Sequence, residues 1–134
     1  MTEYLLDTNV VSELTKRRPD PRVVAWLTSE PTTWLSVLSL GELLRGAHLL
    51  RPRDPVAAGR VDTWIEQLRS DYDGRILPVD HRVIGQWAAL PTTRTLPVID
   101  SLLAATALAH DLTIATRNVR DFADTSAPIF DPFG

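Results

Sequence analysis

A chain of 134 residues with 44% hydrophobic content is the length of one ordinary domain, 1–134, and carries enough apolar side chain to bury a core. Cysteine is absent, which excludes disulfide frameworks, thiolate nucleophiles and cysteine zinc sites, and suits a reducing cytoplasm. A net charge of −3 argues against a uniformly basic nucleic-acid surface, and no apolar run has the length of a bilayer span or the layout of a secretion signal.

Along the chain the signals alternate between strand and helix. Tyr4 to Leu6 reads as a buried strand, and Thr8 to Lys16 as a helix capped near Asp7 or Thr8 and ended by Pro19-Asp20-Pro21. Arg22 to Ser29 is a second helix. Thr33 to Val37 has the β-branched and aromatic character of a strand, and helical spacing resumes from Leu38 to Leu50 through Leu40, Leu43, Leu44 and Ala47. Val56 to Arg69 puts Val61, Trp64, Ile65 and Leu68 on one face, as a surface helix with one buried side does. Arg75 to Val79 is a short strand, Asp80 caps a helix running to Leu90, and PTTRTLP (91–97) is a loop. Val98 to His110 is apolar nearly all round and rich in alanine, which predicts a helix packed on two sides. A strand at Leu112 to Ala115, a helical turn at Asn118 to Phe122 and a last strand at Pro128 to Phe130 complete the chain. Strands separated by helices imply parallel pairing with right-handed crossovers, hence a helix-sheet-helix sandwich.

Into this apolar pattern carboxylates are set. Asp7, Glu42 and Asp100 interrupt YLLDTNVV, LSLGELL and LPVIDSLLAA, and Asp121 follows the strand in LTIATRNVRDF. Taken singly, each has an ordinary explanation. Asp7 can cap the following helix, Ser39-Leu-Gly-Glu42 fits a capping box, and Asp100 would be favoured by a helix dipole. Taken together they fall at strand ends and first helical turns, where one cleft can gather them. Carboxylates a few ångström apart repel unless protonated or neutralised, so such a cluster makes sense around a divalent cation. Oxygen-only ligands select Mg²⁺ or Mn²⁺, whereas His48, His81 and His110 lack a paired metal-ligand spacing. One or two such ions suit phosphodiester hydrolysis without a protein nucleophile, and no Walker A or G-x-S-x-G sequence competes with that reading. Basic residues gather at Lys16, Arg17, Arg18 and Arg22 and again at Arg45, Arg51 and Arg53; either group can meet phosphates or simply be solvated surface.

LLDTNVVSEL, SLGELLRG and VIDSLLAATALAHDLTIATRNVRDF, in this order and within so short a chain, resemble the PIN-domain ribonucleases, specifically VapC-type toxins of bacterial toxin–antitoxin pairs. The resemblance spans essentially the whole chain. It implies a PIN-like three-layer α/β/α sandwich with a mainly parallel sheet, and a Mg²⁺- or Mn²⁺-dependent endoribonuclease. The acidic metal-binding and catalytic residues would be Asp7, Glu42, Asp100 and Asp121, with Thr8, Asn9, Thr116 and Asn118 in supporting positions. Family members differ in whether the last acidic ligand stands at the place of Asn118 or of Asp121; the fourth role is assigned here to Asp121. The resemblance further implies an RNA substrate, a homodimer, a cognate VapB-type antitoxin that blocks the cleft, possible larger assemblies with it, and a cytoplasmic setting without a membrane. Trp26, Trp34, Trp64 and Trp87 can supply such interfaces or pack the core.

Two other functions compete. A haloacid-dehalogenase-like phosphohydrolase also places an Asp after its first strand, but that chemistry generally wants a second Asp two residues later, where Asn9 stands, and a downstream lysine, whereas Lys16 is the only lysine. An inactive PIN-fold binding or scaffold module is the other, against which all acidic positions being filled counts.

Overall fold

Tyr4, Leu5 and Leu6 offer no polar face, so a strand built from them has to be covered on both sides. The computed structural model describes residues 1–91 and 95–134. In it this strand, β1 (Glu3–Leu6), pairs with β2 (Thr32–Ser36) on one side and β4 (Thr113–Ala115) on the other. β3 (Ile76–Leu77) and β5 (Ile129–Phe130) form the edges, giving the order β3-β2-β1-β4-β5. All neighbouring pairs are parallel, so the connections between them must cross back over the sheet, and helices do this. The expected mainly parallel sheet is parallel throughout.

Alternation along the strands sends successive side chains to opposite layers. Leu6, Leu35 and Ala115 face a cluster with Val10 and Val11 of α1 (Thr8–Glu13), Val23 of α2 (Pro21–Thr28), Leu40 and Leu43 of α3 (Val37–Leu50), and Ile65 and Leu68 of α4 (Pro55–Asp71). Leu5 and Ile114 face Leu103, Ala104 and Ala107 of α6 (Val98–His110) and Phe122 of α7 (Val119–Phe122). Outside α6 lies α5 (His81–Ala88), whose Val83 meets Ala105 and Ala109. The alanines of α6 thus let it approach the sheet on one side and a helix on the other. This is the α/β/α sandwich expected. No described helix is long and apolar enough to cross a membrane.

Two local expectations fail. α1 stops at Glu13 rather than Lys16, because Thr15, Lys16 and Arg17 are exposed and give a further turn nothing to bury. The capping box Ser39–Glu42 does not form. α3 begins earlier, with Ser36 as its N-cap accepting the Leu38 amide at 3.0 Å, so Ser39 is already inside the helix and buried. Its hydroxyl faces the Leu6 carbonyl at 3.5 Å. Asp7 and Asp80 do cap α1 and α5. Positions 92–94 of the expected PTTRTLP loop lie outside the described residues.

Candidate functional site

The parallel register of β1 and β4 sets Leu6 beside Ala115, so the residues that follow, Asp7 and Thr116, leave the same sheet edge together. The Asp7 amide donates to the Ala115 carbonyl at 2.9 Å, extending the ladder by one bond before the chains diverge. Asp7 is only 5% exposed. Its Oδ1 accepts the Thr8 amide at 2.7 Å; its Oδ2 accepts the Thr116 hydroxyl at 2.8 Å and the Asn9 side-chain amide at 3.2 Å. Having donated to Asp7, the Thr116 oxygen accepts the Asn118 amide at 2.9 Å and Asn9 Nδ2 at 3.3 Å, which uses its full hydrogen-bonding capacity. Asn9 also accepts the Arg117 amide at 3.3 Å. Asp7, Asn9 and Thr116 are therefore one bonded unit.

Glu42 lies in the second turn of α3, exposed, and receives the Thr8 hydroxyl at 2.5 Å. The cap reading of Asp7 and a role in a wider cluster thus coexist, since Thr8 joins the two acids. Asp100 is half-buried in the first turn of α6, whose N-cap, Pro97, contributes no side-chain hydrogen bond. Asp121 is half-buried in the single turn of α7. Asn118 flanks that turn, exposed, with no side-chain cap bond.

Electrostatics ties the four acids together. Burial, and then the charges of Asp7, Glu42 and Asp121 in decreasing order, push the Asp100 carboxyl from 3.8 up to about 6. Burial likewise raises Asp7, opposed by the Thr116 and Thr8 hydrogen bonds and reinforced by Glu42. None of the three histidines is among the groups acting on either acid. The fold thus brings Asp7, Glu42 and Asp121 within Coulombic reach of Asp100, although no three such side chains among the described residues stand as a closed ligand set. As donors for a cation the cluster is all oxygen, anionic and destabilised by its own repulsion, which fits a hard divalent ion such as Mg²⁺.

Two grooves meet this cluster. One, of about 450 Å³, has Glu42 in its wall beside Val37, Leu38, Gly41, Arg45 and Ile99. The other, of about 380 Å³, has Asp121 in its wall beside Trp87, Leu96, Ser101, Asp124 and Thr125. Trp87, 42% exposed, is held by an Nε1 bond to Ser101 at 2.9 Å, whereas Trp26, Trp34 and Trp64 are half-buried against the core. Trp87 and Arg117 carried no individual signal in the sequence. Trp87 shares the groove wall with Asp121 through its bond to Ser101, and the Arg117 amide is bonded to Asn9, a partner of Asp7.

A sheet edge carrying a buried Asp, a Thr that fixes it and further carboxylates from two helices and a turn defines a recognisable class. The PIN domain family profile matches residues 4–128, and the chain belongs to that family. Over 96% of its length it is 36% identical to Toxin FitB of Neisseria gonorrhoeae, covering 97% of that protein. It is 30% identical to VapC ribonuclease Y4jK of Sinorhizobium fredii, with 96% of each chain covered. The structure of FitAB bound to an IR36 DNA fragment superposes with a TM-score of 0.83 at 34% identity, over 98% of this chain and 96% of that one.

Proposed function

We propose that residues 1–134 form one PIN domain acting as a metal-dependent endoribonuclease toxin in the cytoplasm, neutralised by a cognate VapB-type antitoxin. The observation that carries the activity is the convergence of Asp7, Glu42 and Asp121 on a half-buried Asp100 whose carboxyl they help push up to about 6. A cleft that concentrates negative charge at such a cost serves a cation better than it serves packing. The full-length likeness to proteins named Toxin FitB and VapC ribonuclease supports the same reading, and the FitAB structure supports a partner for this chain as well.

In this reading Asp7, Glu42, Asp100 and Asp121 hold Mg²⁺ or Mn²⁺. When bound, such an ion polarises a phosphoryl oxygen, makes hydroxide available near neutral pH and stabilises the leaving oxygen. The chain's own residues prepare the site. Thr116 and Asn9 fix the plane of the Asp7 carboxylate, Thr8 anchors Glu42, and Asp100 presents a carboxylate that releases its proton near pH 6. Asp7 is buried and Asp100 and Asp121 half-buried, so water screens these charges less and their attraction for a cation is stronger than at an open surface. A homodimer, and larger assemblies with the antitoxin, are part of the same proposal.

The test is cleavage of RNA by purified protein. Activity is expected with Mg²⁺ or Mn²⁺ and none in EDTA, and Asp100→Asn should remove nearly all of it while the chain stays folded. Asp100→Asn protein that cleaves at near the unsubstituted rate would show the carboxylate mechanism to be wrong.

A further inference from the structure

Among the described residues outside the acidic cleft one carboxylate is buried, Glu13 of α1, and the proposed chemistry does not use it. It is 4% exposed, and a buried charge persists only with partners. Its oxygens take the Asp20 amide at 3.0 Å and the Lys16 ammonium at 2.9 Å, which ties the α1–α2 turn together. A second cation, Arg117, stands 3.9 Å away.

Arg117 follows Thr116, and its amide is bonded to Asn9, so its side chain departs from the lip of the acidic cleft. The guanidinium carbon lies 3.9 Å from the centre of the Phe133 ring, and that ring is itself buried. One face is therefore stacked and one end drawn towards Glu13, while 3.9 Å is too long for a hydrogen bond. Among the described residues no hydrogen bond is made by its guanidinium N–H donors, and the side chain is 52% exposed. Other arginines use their donors differently. Arg75 bonds the Thr33 and Asp71 carbonyls at 2.6 and 3.1 Å, and Arg51 grips Asp62 at 2.8 and 3.2 Å. Asp20, the other acid near Arg117, is committed to Arg22 at 2.9 Å. Arg117 is thus stacked with its fork unspent, and it shares the Glu13 carboxylate with the exposed Lys16.

We propose that Arg117, assisted by Lys16, binds a phosphate of the RNA strand next to, and not at, the bond being cut. This rests on the ribonuclease reading. Each RNA phosphate that approaches the four carboxylates is repelled, so a cation on the rim has to hold the strand in place. A planar fork with free donors matches a phosphate in two hydrogen bonds, which a lysine cannot do. The fold assembles the pair from the turn after α1 and the β4–α7 connection through Glu13.

The experiment measures binding of a short single-stranded RNA to Asp100→Asn protein by fluorescence anisotropy across a series of salt concentrations. Arg117→Gln removes the charge but keeps an amide. Losing one phosphate contact lowers the slope of log K against log salt by about 0.7, alike for RNAs of different sequence. Arg117→Lys should keep the slope but bind more weakly, and Phe133→Leu, which removes the stacking platform, should do the same. In the otherwise unsubstituted chain, Arg117→Gln should raise KM about tenfold and change kcat far less, since the contact is equal in ground and transition states. A folded Arg117→Gln protein with unchanged slope and KM overturns the proposal. If that variant fails to fold, unaltered RNA affinity in both Arg117→Lys and Phe133→Leu overturns it instead. Absence of RNA binding and cleavage in the unsubstituted chain removes the ribonuclease reading and this inference with it, whereas normal cleavage insensitive to Arg117 removes this inference alone.

Discussion

Thr116 is buried at the sheet edge and its single hydroxyl joins three groups: it donates to Asp7 and accepts from Asn9 and the Asn118 amide. Replacement by valine keeps the shape and deletes every one of those bonds. Thr116→Val should therefore cost about 1–3 kcal/mol, the range for stranding buried polar partners, and should lower cleavage on the order of ten- to a hundredfold by loosening Asp7. Thr116→Ser should restore most of both, as urea melts and cleavage rates of the two variants will show. Asp100 makes a prediction about pH. Its carboxyl is raised to about 6, so in the folded chain it keeps a proton that the unfolded chain has already released. It therefore destabilises the fold fully above about pH 6, and the loss fades as pH falls towards the ordinary 3.8. Asp7, also raised, has the same sign. Glu13 and Asp20, held below the ordinary range chiefly by Lys16 and Arg22, act at lower pH in the opposite sense. In EDTA the thermal midpoint should rise as pH drops from about 7 to about 5, and Asp100→Asn should flatten that rise and lift the midpoint at pH 7 by a few degrees. A profile identical to that of the unsubstituted chain would mean that Asp100 is not strained.

At the scale of elements, helix α3 depends on where it starts. Ser36 ends β2 and caps α3 at once, so the chain passes from sheet to helix with no intervening loop. Ser36→Ala should cost about 1 kcal/mol, as the loss of an N-cap does, and Ser39→Ala should cost less because that hydroxyl has only a 3.5 Å contact to lose. Equal or reversed costs in denaturant melts would point to Ser39 as the cap after all. The early start also frees Glu42. A capping-box glutamate would have turned back to its own helix, whereas here it meets Thr8 and stands in the groove with Arg45 and Ile99. Likewise, ending α1 at Glu13 turns the basic stretch from Lys16 to Arg18 into an exposed turn. That places Lys16 within reach of Arg117 through their shared carboxylate.

For the whole molecule, the toxin reading predicts that expression in a bacterium arrests growth and that co-expression of the adjacent antitoxin restores it. Growth unaffected by folded, active-site-intact protein in several hosts would count against the toxin role while leaving the nuclease to be judged by cleavage. Much of this architecture was legible in the sequence, because periodicity and capping are local. The alanine-rich Val98–His110, apolar nearly all round, became α6 with those bounds, Asp80 became a cap, and each strand fell within a residue or two of its expected place. The membership of the PIN family was readable too, since its segments keep their order along the chain. The sequence also singled out Asp7, Glu42 and Asp100, because carboxylates inside apolar runs demand an explanation wherever they end up, whereas Asp121 after its strand took its role from the family resemblance. What it could not decide was set by pairing across the sheet. The register of β1 on β4 puts Thr116 against Asp7, and the opposed layers bring α3, α6 and α7 to one edge. Only there do the burial and the repulsion that together raise Asp100 exist. Phe133 beneath Arg117 and Glu13 beside it belong to the same order of fact. Coulomb forces and stacking act through space over a few ångström, and which residues come that close is fixed by the packing of layers and not by any neighbour in the chain.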